Sequence, residues 1–75
     1  MFQAIKKLTG IKRLNNSING NPNYKLYFGN EVVRTPEDSM MAYKISDTYL
    51  GKDCQITYYY NDNEEAYLKD INVLD

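Results

Sequence analysis

A Gly-Asn pair flanked by two runs of aromatic and β-branched residues constrains the fold more than any other stretch of the chain. The runs are residues 24–28 and 31–35, and Gly29 and Asn30 lie between them. This pattern predicts a β-hairpin with a two-residue turn. Glycine adopts a positive φ at no steric cost and asparagine tolerates one, so the pair suits the primed turns whose twist matches that of the strands.

The predicted turn fixes a register in which Lys25 lies opposite Arg34 and Tyr27 lies opposite Val32. These four residues share one face of the hairpin, because side chains alternate along a strand. The other face is the expected core face and carries Tyr24, Leu26, Phe28, Val33 and Thr35. Two cations directly opposite each other repel, so the Lys25–Arg34 pair favours an anionic ligand at its face.

Length and cysteine content indicate a small intracellular domain. Seventy-five residues are typical of one domain with a small core, which we expect to span residues 1–75. Cys54 is the one cysteine and has no partner for a disulfide within the chain, which favours a reducing, cytoplasmic setting. Residues 1–7 contain no apolar run of signal-peptide length, and no stretch approaches the roughly 18 apolar residues of a membrane span. We therefore expect no membrane association.

The net charge of −1 hides an asymmetry between the two parts of the chain. Residues 1–30 contain five lysines or arginines and no acid, whereas residues 31–75 contain four basic and ten acidic residues, which gives +5 and −6. Such a division is typical of a polyanion-binding face. It is equally compatible with two halves that pack side by side and screen each other's charges.

The start of the chain carries two competing patterns. Four apolar residues recur at every third position from Phe2 to Ile11, as on an amphipathic helix that would end at Gly10. Gly10 is also suited to a bulge in one long strand that runs into the hairpin region. We predict a bent strand over residues 3–14, with a helix over residues 2–9 as the alternative.

A short helix and two further strands are predicted after the hairpin. Thr35 has the properties of a helix cap and precedes a proline, and the helix is expected to reach Ile45. Residues 54–60 alternate cleanly as a strand, and residues 65–74 return as the last strand. The apolar pattern of the last strand changes phase, which predicts a bulge near Asp70.

This order of elements predicts an α+β fold that is mostly β. Short connections favour antiparallel neighbours, and curling or closing the sheet removes exposed edges. We therefore predict a small five-stranded antiparallel barrel or curled sheet, with one short helix between strands 3 and 4. The same order occurs in the oligonucleotide-binding (OB) barrel, and an SH3-like barrel is the alternative.

The residues on which most catalytic and metal sites depend are few in this sequence. No histidine is present, which removes the commonest general base and metal ligand. Cys54 lies on an expected core face and is predicted to be an inert, buried thiol. The acids Asp62, Glu64 and Glu65 lack the spacing of a calcium loop, and no glycine pattern of a phosphate-binding loop occurs. We therefore expect neither an enzyme nor a bound metal or other cofactor.

Residues 15–23 contain five asparagines, a glycine and a proline, and predict a polar loop. The segment Asn16-Ser17-Ile18-Asn19-Gly20-Asn21-Pro22-Asn23-Tyr24, followed by the hairpin and a short helix, resembles a pattern in short bacteriophage and prophage reading frames. That pattern has proline where Asn15 stands and arginine where Asn23 stands, so a cation is missing here. The resemblance implies a phage-type origin and a bacterial host, and it implies no particular activity.

The first functional hypothesis is nucleic-acid binding by the basic and aromatic face of the hairpin. Cations contact phosphates, and an aromatic ring stacks on a base. The residues at the start of the chain extend the patch if strand 1 pairs with the hairpin. The candidate residues are Lys12, Arg13, Lys25, Tyr27 and Arg34.

The second hypothesis is a phage or prophage accessory protein that binds and modulates a host protein. The chain has eight tyrosines and no tryptophan, and tyrosine is enriched at protein interfaces. An acidic second half would complement a basic host surface. The candidate contacts are Tyr59, Asp62, Glu64 and Glu65. Under either hypothesis we expect a monomer or a weak homodimer.

Overall fold

Six β-strands form one mixed sheet in the computed structural model, which describes residues 1–74. The strands are β1 (Phe2–Lys7), β2 (Gly10–Leu14), β3 (Asn23–Phe28), β4 (Glu31–Arg34), β5 (Asp53–Tyr60) and β6 (Ala66–Leu74). Two 3₁₀ helices, Met40–Lys44 and Asp47–Tyr49, lie between β4 and β5. The strands follow the order β1-β5-β6-β4-β3-β2 across the sheet. The fold is thus small and mostly β, and no helix within residues 1–74 has the length and apolar character to cross a membrane.

The hairpin of β3 and β4 has the predicted register, with Lys25 opposite Arg34 and Leu26 opposite Val33. Gly29 has a φ of +66°, whereas Asn30 does not have a positive φ. A positive φ at the first turn position alone is the pattern of a type II′ turn. The turn therefore depends on its glycine and makes no special demand on its asparagine.

The start of the chain is a strand with a bend, as predicted, and the helix alternative for residues 2–9 is wrong. β1 pairs along its whole length with β5, and β2 pairs with β3. Leu8 and Thr9 form the bend, and the Leu8 side chain is fully buried. Because these two residues link the two ends of the strand order, the sheet must curl around the core, although it is not closed.

The prediction of five antiparallel strands is wrong in two respects. The bend divides the first strand into β1 and β2, which gives six strands. In addition, β4 and β6 run parallel and pair at Arg34 and Tyr67. The relative direction of β4 and β6 could not be predicted from sequence, because β4 and β5 are joined by a long crossing, residues 35–52, rather than by a tight turn.

The helical segment lies where it was expected, but its cap and type differ from the prediction. Thr35 is fully buried and completes the hairpin instead: its N–H donates to the Tyr24 carbonyl, and its Oγ1 accepts from the Tyr24 N–H, both at 3.0 Å. The helix begins after Ser39, whose hydroxyl accepts a hydrogen bond from the Met41 N–H at 3.0 Å. The result is two short 3₁₀ turns rather than one α-helix.

The core lies on the inner face of the curled sheet. Its fully buried members include Leu8, Leu26, Ile56 and Leu68, and Cys54 is buried, as predicted. A register shift follows Thr57, opposite Asp70, which confirms the predicted bulge. The bulge restores the phase of β6, so both halves of that strand contribute to the core.

Candidate nucleic-acid interface

Five side chains form a row across the outer face of the sheet. Lys12 pairs with Lys25, Lys25 with Arg34, Arg34 with Tyr67, and Tyr67 with Tyr59. Residues directly opposite each other project to the same face of a sheet. We call this set, Lys12, Lys25, Arg34, Tyr67 and Tyr59, the basic–aromatic row.

The row faces away from the core. Its neighbours along β3, β4 and β6 are Leu26, Val33 and Leu68, which are buried in the core. Since side chains alternate, the members of the row project to the opposite side. Lys12 is exposed and the other four members are half-buried.

The three cations of the row form no ion pair with an acid in the described part of the chain. Within residues 1–74 ion pairs form between Lys6 and Glu31 and between Lys44 and Asp70, and neither includes a member of the row. Neighbouring strands lie about 4.8 Å apart, so adjacent cations in the row repel one another. Direct pairing with acids of the second half of the chain, within the described residues, therefore does not explain these three cations.

The tyrosine end of the row is ordered by stacking. The guanidinium carbon of Arg34 lies 5.7 Å from the centre of the Tyr67 ring, within cation–π range. The Tyr67 and Tyr59 rings are 5.9 Å apart with an interplanar angle of 19°. The Arg34 Nε is buried and has no hydrogen-bond partner among residues 1–74. An arginine positioned by an aromatic ring in this way is preorganised to contact an anion.

Tyr27 lies on the same face as the row, two residues along β3 from Lys25. It pairs with Gly10 on one side and Val32 on the other. A Cβ atom at Gly10 would lie 3.4 Å from Cδ2 of Tyr27, so the tyrosine ring rests over the glycine. Gly10 thus leaves room for an aromatic surface next to the cations.

Arg13 lies apart from the other sequence-predicted cations. It pairs with Tyr24, whose side chain packs against the core, and so projects to the opposite face from Lys12. Its guanidinium donates to the Tyr24 hydroxyl at 3.3 Å and to Oδ1 of Asn16 at 2.8 Å. Arg13 therefore hydrogen-bonds to the polar loop through Asn16. The other four predicted residues lie on one face of the sheet, namely Lys12, Lys25, Tyr27 and Arg34.

Sequence reasoning did not find Tyr67 and assigned Tyr59 to a different surface. Both tyrosines join the cations only through the parallel pairing of β4 with β6. The alternation of β5 predicted an outer face for Tyr59, but no local signal revealed that β6 lies beside β4.

A groove of about 390 Å³ opens beside the row, between β4 and the start of β6. The two strands pair at Arg34 and Tyr67 and separate before that point. Lys25 and Arg34 line one side of this β4–β6 groove. The acids that line it are Glu31, Glu64 and Glu65.

Several of the groove residues have their own partners. Lys6 binds Glu31, and this hydrogen bond raises the pKa of Lys6. Tyr58 forms an aromatic cluster with Phe2 and Tyr60, with ring centres 5.6 and 5.8 Å from its own. Burial, and then the neighbouring Tyr60, raises the pKa of Tyr58. The groove is thus lined by cations, by carboxylates and by the aromatic side chains of Tyr58 and Tyr60.

The acidic turn of residues 61–65 has a fixed shape. Oδ1 of Asn61 accepts hydrogen bonds from the N–H groups of Asn63 and Glu65, at 2.9 and 2.8 Å. Glu64 adopts a φ of +61°. Of the residues proposed for a protein partner, Glu64 and Glu65 line the groove and Tyr59 belongs to the row, whereas Asp62 lies at the exposed tip of the turn.

The carboxylate of Asp38 closes the asparagine-rich loop. In the sequence, Asp38 lies near the predicted start of the helix, shortly after Thr35. Asp38 accepts hydrogen bonds from Asn19, Ser17 and Asn21, and these bonds hold its pKa below the usual range. The Asn-Ser-x-x-Gly-Asn-Pro segment thus serves the conformation of the loop. No pattern pointed to Asp38 as its partner, because the donors Ser17, Asn19 and Asn21 are 21, 19 and 17 positions away in sequence, with the hairpin between.

No group of three or more cysteine, aspartate or glutamate side chains suited to a metal ion occurs in the described part of the chain. Comparison of the chain with protein-family models, with curated proteins and with solved structures finds no match.

Proposed function

We propose that this protein is a small phage-type binding protein that contacts nucleic acid through the basic–aromatic row. The observation that carries the proposal is the juxtaposition, in one line across the sheet, of two stacked tyrosines and three cations that form no ion pair within residues 1–74. Phosphates would relieve the repulsion among the cations and release bound counterions. The tyrosine faces offer a stacking surface that accepts any base.

The connection of the strands supports this proposal by analogy. If β1 and β2 count as one bent strand, the chain runs through a bent strand, a hairpin, a helical crossing and a second hairpin, in the order of an OB barrel. That fold is partly open, and its ligands lie on the face of the second and third strands, which correspond to β3 and β4 here. One fold serves many functions, so the chemistry of the row itself carries the proposal.

The proposed activity is binding without catalysis, in the cytoplasm of a bacterial host. The row supplies charge and stacking surface but no group suited to proton transfer near neutral pH. The phage-type origin is supported by the Asn-Ser-x-x-Gly-Asn-Pro-x-Tyr segment of residues 16–24.

Fluorescence anisotropy with labelled single-stranded DNA and RNA across a salt series tests the proposal. We expect Lys25→Gln to weaken binding and to reduce the slope of log affinity against log salt by about 0.7 to 1. Urea unfolding of the same variant should show unchanged stability or a gain of roughly a few tenths of a kcal/mol, because two like-charge contacts are removed.

Lys44→Gln is the matched control, since it removes the same charge from a residue already paired with Asp70. It should leave the salt slope unchanged. Wild-type binding no tighter than high micromolar at low salt, or binding that does not respond to salt, would overturn the proposal. So would a loss of stability in Lys25→Gln without a loss of binding.

The second candidate function is capture of a host protein, and the exposed acidic turn favours it. Asp62, Glu64 and Glu65 are all exposed, and hydrogen bonds to Asn61 fix the turn that carries them. A basic host surface would complement this charge. A pull-down from host lysate, with and without nuclease, tests it: a stoichiometric protein that survives nuclease supports this function, and an empty lane opposes it. We expect the free protein to be a monomer or weak dimer by sedimentation equilibrium.

A further inference from the structure

The β4–β6 groove is continuous with the basic–aromatic row. Lys25 and Arg34 belong to both: they are neighbours in the row, and they line one side of the groove. Any polymer whose phosphates lie on these two cations therefore passes the mouth of the groove. The groove volume of about 390 Å³ lies within the range of roughly 300 to 1,000 Å³ that small-molecule sites occupy.

The walls of the groove suit a flat ring. Val33, Ala66 and Tyr58 are among the residues that line it, and the Tyr58 ring is packed against the rings of Phe2 and Tyr60. A planar heterocycle gains from contact with aliphatic groups and from stacking on tyrosine.

The charges along the groove would orient a nucleotide. Cations stand at the side shared with the row, and Glu64 and Glu65 stand at the start of β6. The carboxylate of Glu31 is offset by Lys6, whereas within residues 1–74 no ion pair includes Glu64 or Glu65. A phosphate is attracted to the first side and repelled from the second, so the base is directed toward the carboxylates.

We propose that the β4–β6 groove receives one unpaired base of a single strand and favours bases that carry an exocyclic amino group. This inference rests on the proposed function of the row. Ionised carboxylates only accept hydrogen bonds, so they complement the amino groups of cytosine, adenine and guanine. Thymine and uracil have no such group. A base in the groove must leave its helical stack, which selects single strands over duplexes.

Competition binding with short homopolymers of deoxycytidine and deoxythymidine, and with a mixed-sequence duplex of equal length, tests the inference. At one fixed salt concentration we expect the deoxycytidine strand to bind about tenfold more tightly than the deoxythymidine strand. We also expect it to bind more tightly than the duplex. Glu64→Gln should bind all strands at least as well, because a negative charge is removed, but should lose most of the preference for cytosine.

Glu37→Gln is the control, because it removes the same charge from an exposed residue that does not line the groove. It should keep the cytosine preference. Equal affinity for the two homopolymers, an unchanged preference in Glu64→Gln, or tighter binding of the duplex overturns the groove inference. Failure of the proposed function gives a different result, since no nucleic acid then binds at all.

Discussion

The carboxylate of Asp38 fixes the loop that precedes β3. It accepts hydrogen bonds from Ser17 at 2.9 Å and from Asn21 at 2.9 Å, and a third from Asn19. Asp38 also has a φ of +57°, a conformation that aspartate and asparagine tolerate better than most residues. The residue thus combines an unusual backbone angle with the role of common acceptor.

Asp38→Asn should lower the urea midpoint at neutral pH, because an amide nitrogen would face donors that now bind a carboxylate. Hydrogen bonds hold the pKa of Asp38 below its value in the unfolded chain, about 3.9. The stabilisation that the ionised Asp38 carboxylate contributes is therefore fully present above a pH of about 3.9. It is lost as the pH falls through the lower pKa of the folded state.

The difference in urea midpoint between wild type and Asp38→Asn should accordingly shrink as the pH is lowered below about 4. The neighbouring Glu37→Gln removes an exposed carboxylate that forms no hydrogen bond within the described residues and should have little effect at any pH. A midpoint difference that does not change with pH would show that the charge of Asp38 is not what closes the loop.

At the scale of elements, the β3–β4 turn provides a sharp test because its two residues have different roles. Gly29 has a positive φ and Asn30 does not. Gly29→Ala should therefore cost about 1 kcal/mol or more, because an L-residue is strained at this angle. Apart from Gly29 and its two chain neighbours, no atom of the described residues lies within 4 Å of a Cβ placed there, so the cost would come from the backbone and not from a clash.

Asn30→Ala is the matched variant at the other turn position and should change the free energy of unfolding by less than about 0.5 kcal/mol. Urea unfolding of both variants gives the comparison. Equal costs at the two positions would contradict a type II′ turn.

Elements defined by contacts between near neighbours could be predicted from sequence. The hairpin register follows from the Gly29-Asn30 pair, and the bulge near Asp70 follows from the phase of a single strand. The parallel pairing of Arg34 with Tyr67 could not be predicted, because the long crossing between β4 and β5 carries no signal of where β6 will lie. For the same reason the cations of the candidate site were found and its tyrosine end was not.

At the scale of the whole molecule, one core connects the parts of the sheet. Fully buried leucine and isoleucine side chains come from the first bend, β3, β5 and β6, namely Leu8, Leu26, Ile56 and Leu68. A chain of this length has a free energy of unfolding of about 4 to 11 kcal/mol. Leu26→Ala should lower this free energy by about 2 to 5 kcal/mol. We therefore expect the sheet to open as one cooperative unit.

Cys54 provides a natural probe of that opening. Its side chain is fully buried in β5, between Lys6 of β1 and Val73 of β6. Burial, with a smaller contribution from Asp53, raises the pKa of the thiol, so the folded protein holds little reactive thiolate. An aromatic disulfide reagent should thus react only with molecules that have opened.

We expect the labelling rate of Cys54 to rise with urea in proportion to the unfolded population measured by circular dichroism. Leu26→Ala, which lies on β3 and not beside the thiol, should raise the rate in the absence of urea by at least about thirtyfold, the factor that 2 kcal/mol represents. Cys54→Ala should give no signal and provides the baseline. Fast labelling of the wild type that does not respond to urea would show that β1 separates from β5 locally, and would contradict a single cooperative core.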